Sequence, residues 1–159
     1  MTSYFLDTSA LVKHYRSEAG SKRVDAIFAD AQSKIIISGL AIVEIASAFQ
    51  RLKNQGDIDD AVLNHALDRF TADATGRLAV VSVDDESLHT ARGLVLKHNL
   101  RTLDALQLTS AVKSKAQSPV FVAADDNLLA AAKAEGLVTL NPLEQSPTPP
   151  EAAPDSPPQ

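Results

Sequence analysis

The chain has no cysteine and no long apolar run. Without cysteine it cannot form a disulfide framework or a thiolate zinc site. No stretch approaches the roughly 18–20 apolar residues that a membrane-spanning helix needs. The N-terminus also lacks a basic segment followed by a long apolar region, which is the pattern of a secretory signal. We therefore expect a cytoplasmic protein without a membrane partner.

Two common catalytic patterns are missing as well. The sequence contains neither a glycine-rich phosphate loop nor a legible Ser-His-Asp arrangement. Its four histidines lie on predicted helices or at their ends, without the spacing of metal ligands: His14, His65, His89 and His98. We interpret them as solvated or helix-end residues and expect no zinc site.

Positive charge is scarce: 20 Asp and Glu outnumber 15 Lys and Arg, and the net charge is -5. Such a balance argues against broad, non-specific coating of DNA. Three acids and no Lys or Arg lie after residue 141, so the excess of acids before that point is small. The composition therefore still allows an RNA substrate that is held by a metal ion and a few local basic residues.

The length of 159 residues predicts a single domain. Residues 146–159 are rich in proline, serine and alanine and contain no large aliphatic or aromatic core former. This composition is typical of disorder. We predict a folded domain over residues 1–141 and a Pro-rich disordered tail over residues 142–159.

Strand and helix signals alternate through the domain. Short apolar runs predict strands at residues 3–6, 35–37, 79–83, 119–123 and 137–140. Apolar residues at helical spacing predict helices over residues 8–16, 18–31, 41–54, 58–73, 85–97, 103–115 and 126–135. The fourth of these helices is expected to turn five residues inward: Val62, Leu63, Ala66, Leu67 and Phe70. Because helices separate the strands, we predict an α/β fold, a three-layer α/β/α sandwich around a parallel sheet of about five strands.

The most informative motif is an apolar strand that ends in Asp and opens a helix, and it occurs twice. Tyr4-Phe5-Leu6 leads into Asp7, and Val120-Phe121-Val122 leads, through two alanines, into Asp125. Open α/β sheets place their active sites at the carboxyl ends of parallel strands. Taken singly, each of these acids is more simply explained as a helix N-cap.

Two further acids lie on the apolar faces of predicted helices. Glu44 shares a face with Ala41 and Ala48, and Asp104 stands at a helix start ahead of Leu108. An acid on a core face is unfavourable unless it is paired or bound to metal. Glu44 therefore belongs either to a buried ion pair or to a metal or substrate site. Asp104 is either a first-turn acid that favours the helix dipole or part of the same site.

Four such acids in one small domain suggest a divalent-cation site built from Asp7, Glu44, Asp104 and Asp125. Hard cations such as Mg²⁺ prefer oxygen ligands and usually take one or two carboxylates together with water and phosphate oxygens. Such a site activates water and neutralises a phosphodiester transition state, so we expect hydrolytic phosphoryl transfer. Without metal the crowded acids repel one another, and at least one is expected to have a raised pKa.

Four short segments surround these acids. They are Asp7-Thr8-Ser9-Ala10-Leu11-Val12-Lys13, Val43-Glu44-Ile45-Ala46-Ser47-Ala48, Leu103-Asp104-Ala105-Leu106-Gln107-Leu108 and Phe121-Val122-Ala123-Ala124-Asp125-Asp126-Asn127-Leu128-Leu129. In this order they resemble the PIN-domain ribonucleases, most closely the VapC toxins of bacterial toxin–antitoxin pairs. The resemblance implies a PIN-like fold and RNA cleavage with Mg²⁺ or Mn²⁺ held by the acidic cluster. It also implies a homodimer and inhibition by a cognate VapB-type antitoxin.

The resemblance can be carried over residue by residue. All four acids match the acids of the family. The hydroxyl that follows the first acid falls on Thr8 or Ser9, where it holds either Asp7 or a metal-bound water. The sequence departs from the family at Ala123, where many relatives have Ser or Thr, so that hydroxyl is missing here. Asn127 is a candidate substitute for orienting a water.

Two alternatives stay open. A haloacid-dehalogenase-like phosphatase also uses a strand-end Asp, Mg²⁺ and a late Asp pair, which Asp125-Asp126 imitates. Its second nucleophile-loop acid would, however, fall at Ser9. A catalytically inactive PIN-like protein that kept the acids would act as a binding protein.

Basic residues near the motifs have two interpretations. Lys97, His98 and Arg101 precede Asp104 closely and either face an RNA backbone or are solvated helix ends. Arg51 and Lys53, beyond Glu44, meet either an antitoxin acid or water.

Overall fold

The computed structural model describes residues 1–144, which form one sheet with helices on both faces. The strands are β1 (Ser3–Leu6), β2 (Lys34–Ser38), β3 (Leu78–Val81), β4 (Val120–Val122) and β5 (Val138–Leu140). The helices are α1 (Thr8–Tyr15), α2 (Ser21–Ala29), α3 (Leu40–Asn54), α4 (Asp60–Gly76), α5 (Asp85–His98), α6 (Thr102–Lys113) and α7 (Asp126–Ala134). A 3₁₀ turn covers Lys115–Gln117. No helix within residues 1–144 is both long enough and apolar enough to span a membrane.

All five strands are parallel, and their order across the sheet is β3-β2-β1-β4-β5. The chain starts in the middle, builds outward to β3, and then adds β4 and β5 on the other side of β1. The topological switch point therefore lies between β1 and β4. Ligands of open α/β sheets bind outside the carboxyl ends of the strands at such a point. The topology thus confirms the predicted α/β architecture and marks one crevice for a functional site.

The strands are apolar on both sides because each side is covered by helices. Phe5 and Phe121 lie in the core beneath α5–α7, where their rings stack at 5.7 Å between centroids. Their neighbours Leu6 and Val122 lie in the core beneath α1–α4. Successive residues of a strand point to opposite faces, which distributes each strand between the two cores. The result is the predicted three-layer α/β/α sandwich.

The second helix begins later than its apolar spacing predicts. α2 starts at Ser21 rather than at residue 18. Gly20 adopts the left-handed conformation with φ 88°, and the Glu18 N–H donates to Ser21 Oγ at 2.9 Å. A left-handed residue interrupts a right-handed helix, so the chain turns before α2 instead of continuing it.

The inward face of α4 is narrower than expected. Leu63, Ala66 and Phe70 are buried, whereas Val62 is 49% exposed. Neighbouring residues lie about 100° apart around a helix, so Val62 falls beside the buried stripe rather than on it. The prediction for Val62 is therefore wrong.

Residues 142–144, which we had assigned to the tail, pack against the start of α2. Pro142 is buried, and a Cβ added to Gly20 would lie 3.0 Å from the Pro142 carbonyl oxygen. Arg23 Nη1 donates to the Glu144 carbonyl at 2.5 Å. Residues 142–144 are therefore in contact with the start of α2. The remainder of the tail prediction lies outside the described residues.

Candidate active site

Two of the four acids stand at the switch point. Asp7 follows β1 and is the N-cap of α1, and Asp125 follows β4 and is the N-cap of α7. Since β1 and β4 are hydrogen-bonded neighbours, their carboxyl ends open on the same edge of the sheet. Both acids therefore serve as caps, as the simpler explanation proposed, and also stand at the position that the functional explanation requires.

Asp7 is held by Ser9 rather than by Thr8. The Ser9 hydroxyl donates to Asp7 Oδ2 at 2.6 Å, and the Ser9 backbone N–H donates to the same oxygen at 3.1 Å. Ser9 Oγ in turn accepts from the Ala124 N–H at 3.1 Å, which connects α1 to the end of β4. Ala123 is buried and carries no hydroxyl. The Ser9 hydroxyl instead bonds to the backbone of the next residue, Ala124.

Glu44 is held by two donors from other elements. The Thr8 hydroxyl donates to Glu44 Oε1 at 3.2 Å, and Gln107 Nε2 donates to the same oxygen at 2.6 Å. Gln107 Nε2 also donates to Thr8 Oγ1 at 3.0 Å. Glu44 is half-buried, and among residues 1–144 its hydrogen bonds come from a hydroxyl and an amide rather than from a basic side chain, so the buried ion pair that was its structural explanation is not formed.

Sequence reasoning missed Gln107. Its signal was a single amide between Leu106 and Leu108, in a helix segment that is otherwise apolar or small. A polar residue in such a position calls for a hydrogen-bond partner, because buried polar groups are almost always satisfied. The partner was not legible, since Thr8 lies 99 positions away.

Asp104 and Asp125 are joined by a guanidinium. Arg101 Nε lies 3.5 Å from Asp104 Oδ2, and Arg101 Nη2 lies 4.0 Å from Asp125 Oδ2. The arginine side chain is 83% exposed, so these contacts contribute little to the stability of the fold. Arg101 therefore stands at the mouth of the site with its charge available to a negatively charged ligand.

Burial, more than repulsion, raises the pKa of Asp7 and of Asp104. Removal from water raises the pKa of the Asp7 carboxyl to about 6; hydrogen bonds from Ser9 oppose the shift, and the charges of Glu44 and Asp104 add to it. Burial also raises the pKa of Asp104, while Arg101 lowers it and Asp125 raises it. The expected rise is confirmed for two acids, with desolvation as its largest cause.

Three of the acids line one pocket of about 330 Å³ between α1, α3 and the start of α6. Its walls are Asp7, Thr8, Ser9, Val12, Glu44, Ser47, Ala48, Arg51, Leu103 and Asp104. Arg51 stands seven residues after Glu44, which returns it to the same face of α3 two turns on. Its guanidinium donates to Ser47 Oγ at 2.8 Å. Beside the acids, the pocket therefore carries a cation for which the sequence suggested only an antitoxin acid or water as partner.

The carboxylates are not drawn together around one point. Within the described part of the chain, no group of three or more His, Asp or Glu side chains is close enough to hold a single ion. A cation in this pocket would accordingly take one or two carboxylates and complete its shell with water or phosphate oxygens, as Mg²⁺ usually does.

The other basic residues near the motifs are occupied elsewhere. Lys13 is buried and pairs with Glu18 at 2.9 Å. Lys97 Nζ and His98 Nε2 both lie 2.7 Å from Glu135 Oε1, joining α5 to the end of α7. Of the candidates for contact with RNA near Asp104, Arg101 is the one that faces the acids.

Comparison with known families decides the classification. The model of the PIN domain family matches residues 4–134, most of the described chain. The chain belongs to the PIN domain family. None of the curated protein sequences compared matches it. The family match favours the nuclease interpretation over the phosphatase alternative.

Solved structures of low sequence identity share the fold of this PIN domain. PAE2754 from Pyrobaculum aerophilum is 21% identical over 87% of this chain and 83% of its own, with a TM-score of 0.59. VapBC2 from Rickettsia felis was solved bound to a DNA fragment from its promoter. It is 16% identical over 88% of this chain and 98% of its own, with a TM-score of 0.59. A toxin–antitoxin complex from Klebsiella pneumoniae is 15% identical over 89% and 99%, with a TM-score of 0.61.

Proposed function

We propose that this PIN domain is a metal-dependent endoribonuclease and the toxin component of a VapBC-type toxin–antitoxin pair. The observation that carries the proposal is the location of the candidate acids. Asp7, Glu44 and Asp104 line a single pocket beside the switch point of a PIN domain, and Asp125 stands at the adjacent strand end. Domains of this family are generally nucleases.

The donor set of the pocket suits a hard divalent cation, Mg²⁺ or Mn²⁺. Carboxylate and hydroxyl oxygens line it, and the sequence has no cysteine to select a softer metal. Both hydrogen bonds from Ser9 end on Asp7 Oδ2, which leaves Oδ1 for a ligand. The cation would take one or two of the four candidate carboxylates: Asp7, Glu44, Asp104 and Asp125. When bound, the cation supplies charge neutralisation at the phosphodiester and lowers the pKa of a bound water.

The residues around the acids divide the remaining work. Ser9 orients Asp7, and Thr8 orients Glu44. Arg51 and Arg101 flank the acids with positive charge and would bind the phosphates on either side of the scissile bond. Recognition of the RNA would depend on loop shape and on contacts to unpaired bases.

The helical surface supports an antitoxin and a second copy of the chain as partners. Ile42 and Val43 on α3 and Val62 on α4 are 53%, 69% and 49% exposed, and Ala46 is also exposed. Exposed apolar patches of this kind mark interaction sites. The solved relatives include toxin–antitoxin complexes. A basic antitoxin side chain would fit the acidic pocket, since a guanidinium pairs bidentately with carboxylates.

Expression in cells tests the proposal. The protein expressed alone should arrest growth and generate new RNA 5′ ends, and the Asp7→Asn variant should do neither. Co-expression with the adjacent open reading frame should restore growth and yield a purifiable complex. Persistent arrest with no complex would contradict the toxin–antitoxin assignment, and absence of new RNA ends would favour an inactive PIN-like binding protein.

A further inference from the structure

Gln107 is buried, and only one end of its side-chain amide is hydrogen-bonded within residues 1–144. Its side chain is 1% exposed, and its Nε2 makes two hydrogen bonds, to Glu44 at 2.6 Å and to Thr8 at 3.0 Å. Its Oε1 is buried and has no hydrogen-bond partner among the residues that the structure describes. An unsatisfied buried acceptor is unfavourable, and each such group in a folded protein calls for an explanation.

The charge of Glu44 explains the orientation of the amide. A carboxylate accepts hydrogen bonds and cannot donate, so Gln107 must turn Nε2 rather than Oε1 towards it. The opposite rotamer would let Gln107 Oε1 accept from the Thr8 hydroxyl. It would also place that oxygen against Glu44 Oε1, and two acceptors cannot form a hydrogen bond. The unsatisfied Oε1 is therefore the consequence of holding Glu44.

We propose that Gln107 is a positioning residue for Glu44. Gln107 and Thr8 both donate to Oε1, which fixes the carboxylate and leaves Oε2 without a hydrogen bond from residues 1–144, in a residue that lines the pocket with Asp7 and Asp104. Outer residues of this kind orient metal ligands, and their loss typically lowers metal affinity or activity about 10- to 100-fold. This inference rests on the proposed function for the catalytic consequence, but the orientation of Glu44 is open to a separate measurement.

A methionine substitution isolates the amide from the volume it fills. Gln107→Met keeps an unbranched side chain of similar size and removes both the donor to Glu44 and the unsatisfied acceptor. Ser110→Ala is the matched control, because Ser110 is also buried on α6 and its hydroxyl donates to Ser38 Oγ at 2.9 Å, away from the acids. Gln107→Leu is a second variant with the same loss of polar atoms.

The full chain should be tested for Mn²⁺ binding by electron paramagnetic resonance, for thermal stability, and for RNA cleavage. For Gln107→Met we expect Mn²⁺ affinity or kcat to fall about 10- to 100-fold, with Tm unchanged or raised. Ser110→Ala should keep the Mn²⁺ affinity and kcat of the unsubstituted protein. A lowered Tm with unchanged Mn²⁺ affinity and kcat in both Gln107 variants would overturn the proposal, as would failure of both to fold.

Mn²⁺ binding separates this inference from the proposed function. If the unsubstituted protein binds Mn²⁺ but cuts no RNA, and Gln107→Met weakens that binding, the positioning role stands and the nuclease assignment fails. If RNA is cut and neither Mn²⁺ affinity nor kcat depends on Gln107, the positioning role fails and the nuclease assignment stands. Absence of Mn²⁺ binding in the unsubstituted protein would overturn both.

Discussion

Among single residues, Asp7 is the most buried of the four candidate acids. It is 5% exposed, and its carboxyl has a pKa of about 6 in the folded protein compared with 3.8 as the ordinary value. A carboxyl with a raised folded pKa binds its proton more tightly in the folded state. Stability is therefore greatest below the unfolded pKa and is lost as the pH rises through the folded pKa. The metal-free site thus opposes folding at neutral pH.

Removal of this charge gives the first prediction. Between about pH 4 and pH 6 the free energy of unfolding of the metal-free protein should fall by about 3 kcal/mol through Asp7 alone. Asp7→Asn should remove most of that pH dependence and leave stability at pH 7.5 unchanged or higher. Urea unfolding in EDTA across this pH range measures both. A large loss of stability in Asp7→Asn at pH 7.5 would mean that the carboxylate mainly supports the fold.

The sequence marks the acids better than the groups that hold them. Asp7 and Asp125 are recognisable because a strand and a helix meet at each of them, and this relation is local. Glu44 and Asp104 are recognisable from helical spacing. The contacts of Gln107 with Glu44 and of Arg101 with Asp125 depend on how distant segments pack: the Gln107–Glu44 bond joins residues 63 positions apart. Their roles therefore emerge only from the folded structure.

Among the elements, α7 begins at a residue with two candidate roles. Asp125 Oδ1 accepts from the Leu128 N–H at 2.9 Å, which is the hydrogen bond of a helix N-cap. Asp59 makes the same bond with Val62 at the start of α4, outside the acidic pocket. Because Asn caps helices nearly as well as Asp, substitution by Asn separates the cap from the charge.

This pair of caps gives the second prediction. Asp125→Asn should keep the stability of the unsubstituted protein and lose RNA cleavage, whereas Asp125→Ala should lose cleavage and about 1 kcal/mol of stability. Asp59→Ala should lose a similar stability and keep cleavage. Thermal unfolding and a cleavage assay on the three variants check this. Full activity of Asp125→Asn would leave Asp125 as a cap alone.

Element positions follow from apolar periodicity, whereas element ends depend on local contacts. The five strands and seven helices of the described chain lie at the predicted places. α2 begins later than predicted because Gly20 is left-handed and packs against Pro142, a contact between segments more than 100 residues apart. No pattern within residues 18–31 carries that information.

The whole molecule has a net charge of -5, so attraction of RNA depends on basic side chains close to the site. Arg51 and Arg101 stand beside the acids, and Lys22 is an exposed residue on α2, outside the pocket. A protein that neutralises phosphates releases counterions, and for single strands the logarithm of affinity falls with the logarithm of salt by about 0.7 per contact.

The salt dependence gives the third prediction. Arg51→Gln and Arg101→Gln should each raise KM for RNA and reduce the slope of log KM against log salt by about 0.7. Lys22→Gln should change neither quantity. Steady-state cleavage between low and physiological salt measures the slopes. An unchanged slope in both arginine variants would remove these residues from RNA binding.

The end of the described chain gives the fourth prediction. A chain that stops at Glu144 should fold and cleave RNA as the full chain does, because the residues beyond it contain no large core former. A chain that stops at Leu140 should have a lower Tm, since it loses the buried Pro142 and the bond from Arg23 to Glu144. Loss of activity in the longer variant would identify the Pro-rich tail as a docking segment.

The class of fold follows from the alternation of strands and helices, since parallel strands require crossover helices. Strand order does not follow from it, and the order determines that β1 and β4 are neighbours and that their acids share one edge. The binding partner does not follow from the sequence either, because the exposed Ile42 and Val43 mark an apolar surface but do not specify which protein binds it.

The most direct test of the central claim is cleavage of RNA by the purified protein. With Mg²⁺ or Mn²⁺ we expect internal cuts in RNA that EDTA abolishes and that Asp7→Asn and Asp104→Asn do not make. Mapping of the 5′ ends by sequencing, with the two variants purified in parallel, provides the measurement. Intact RNA in the presence of either metal, or equal cutting by the unsubstituted protein and both variants, would contradict the account.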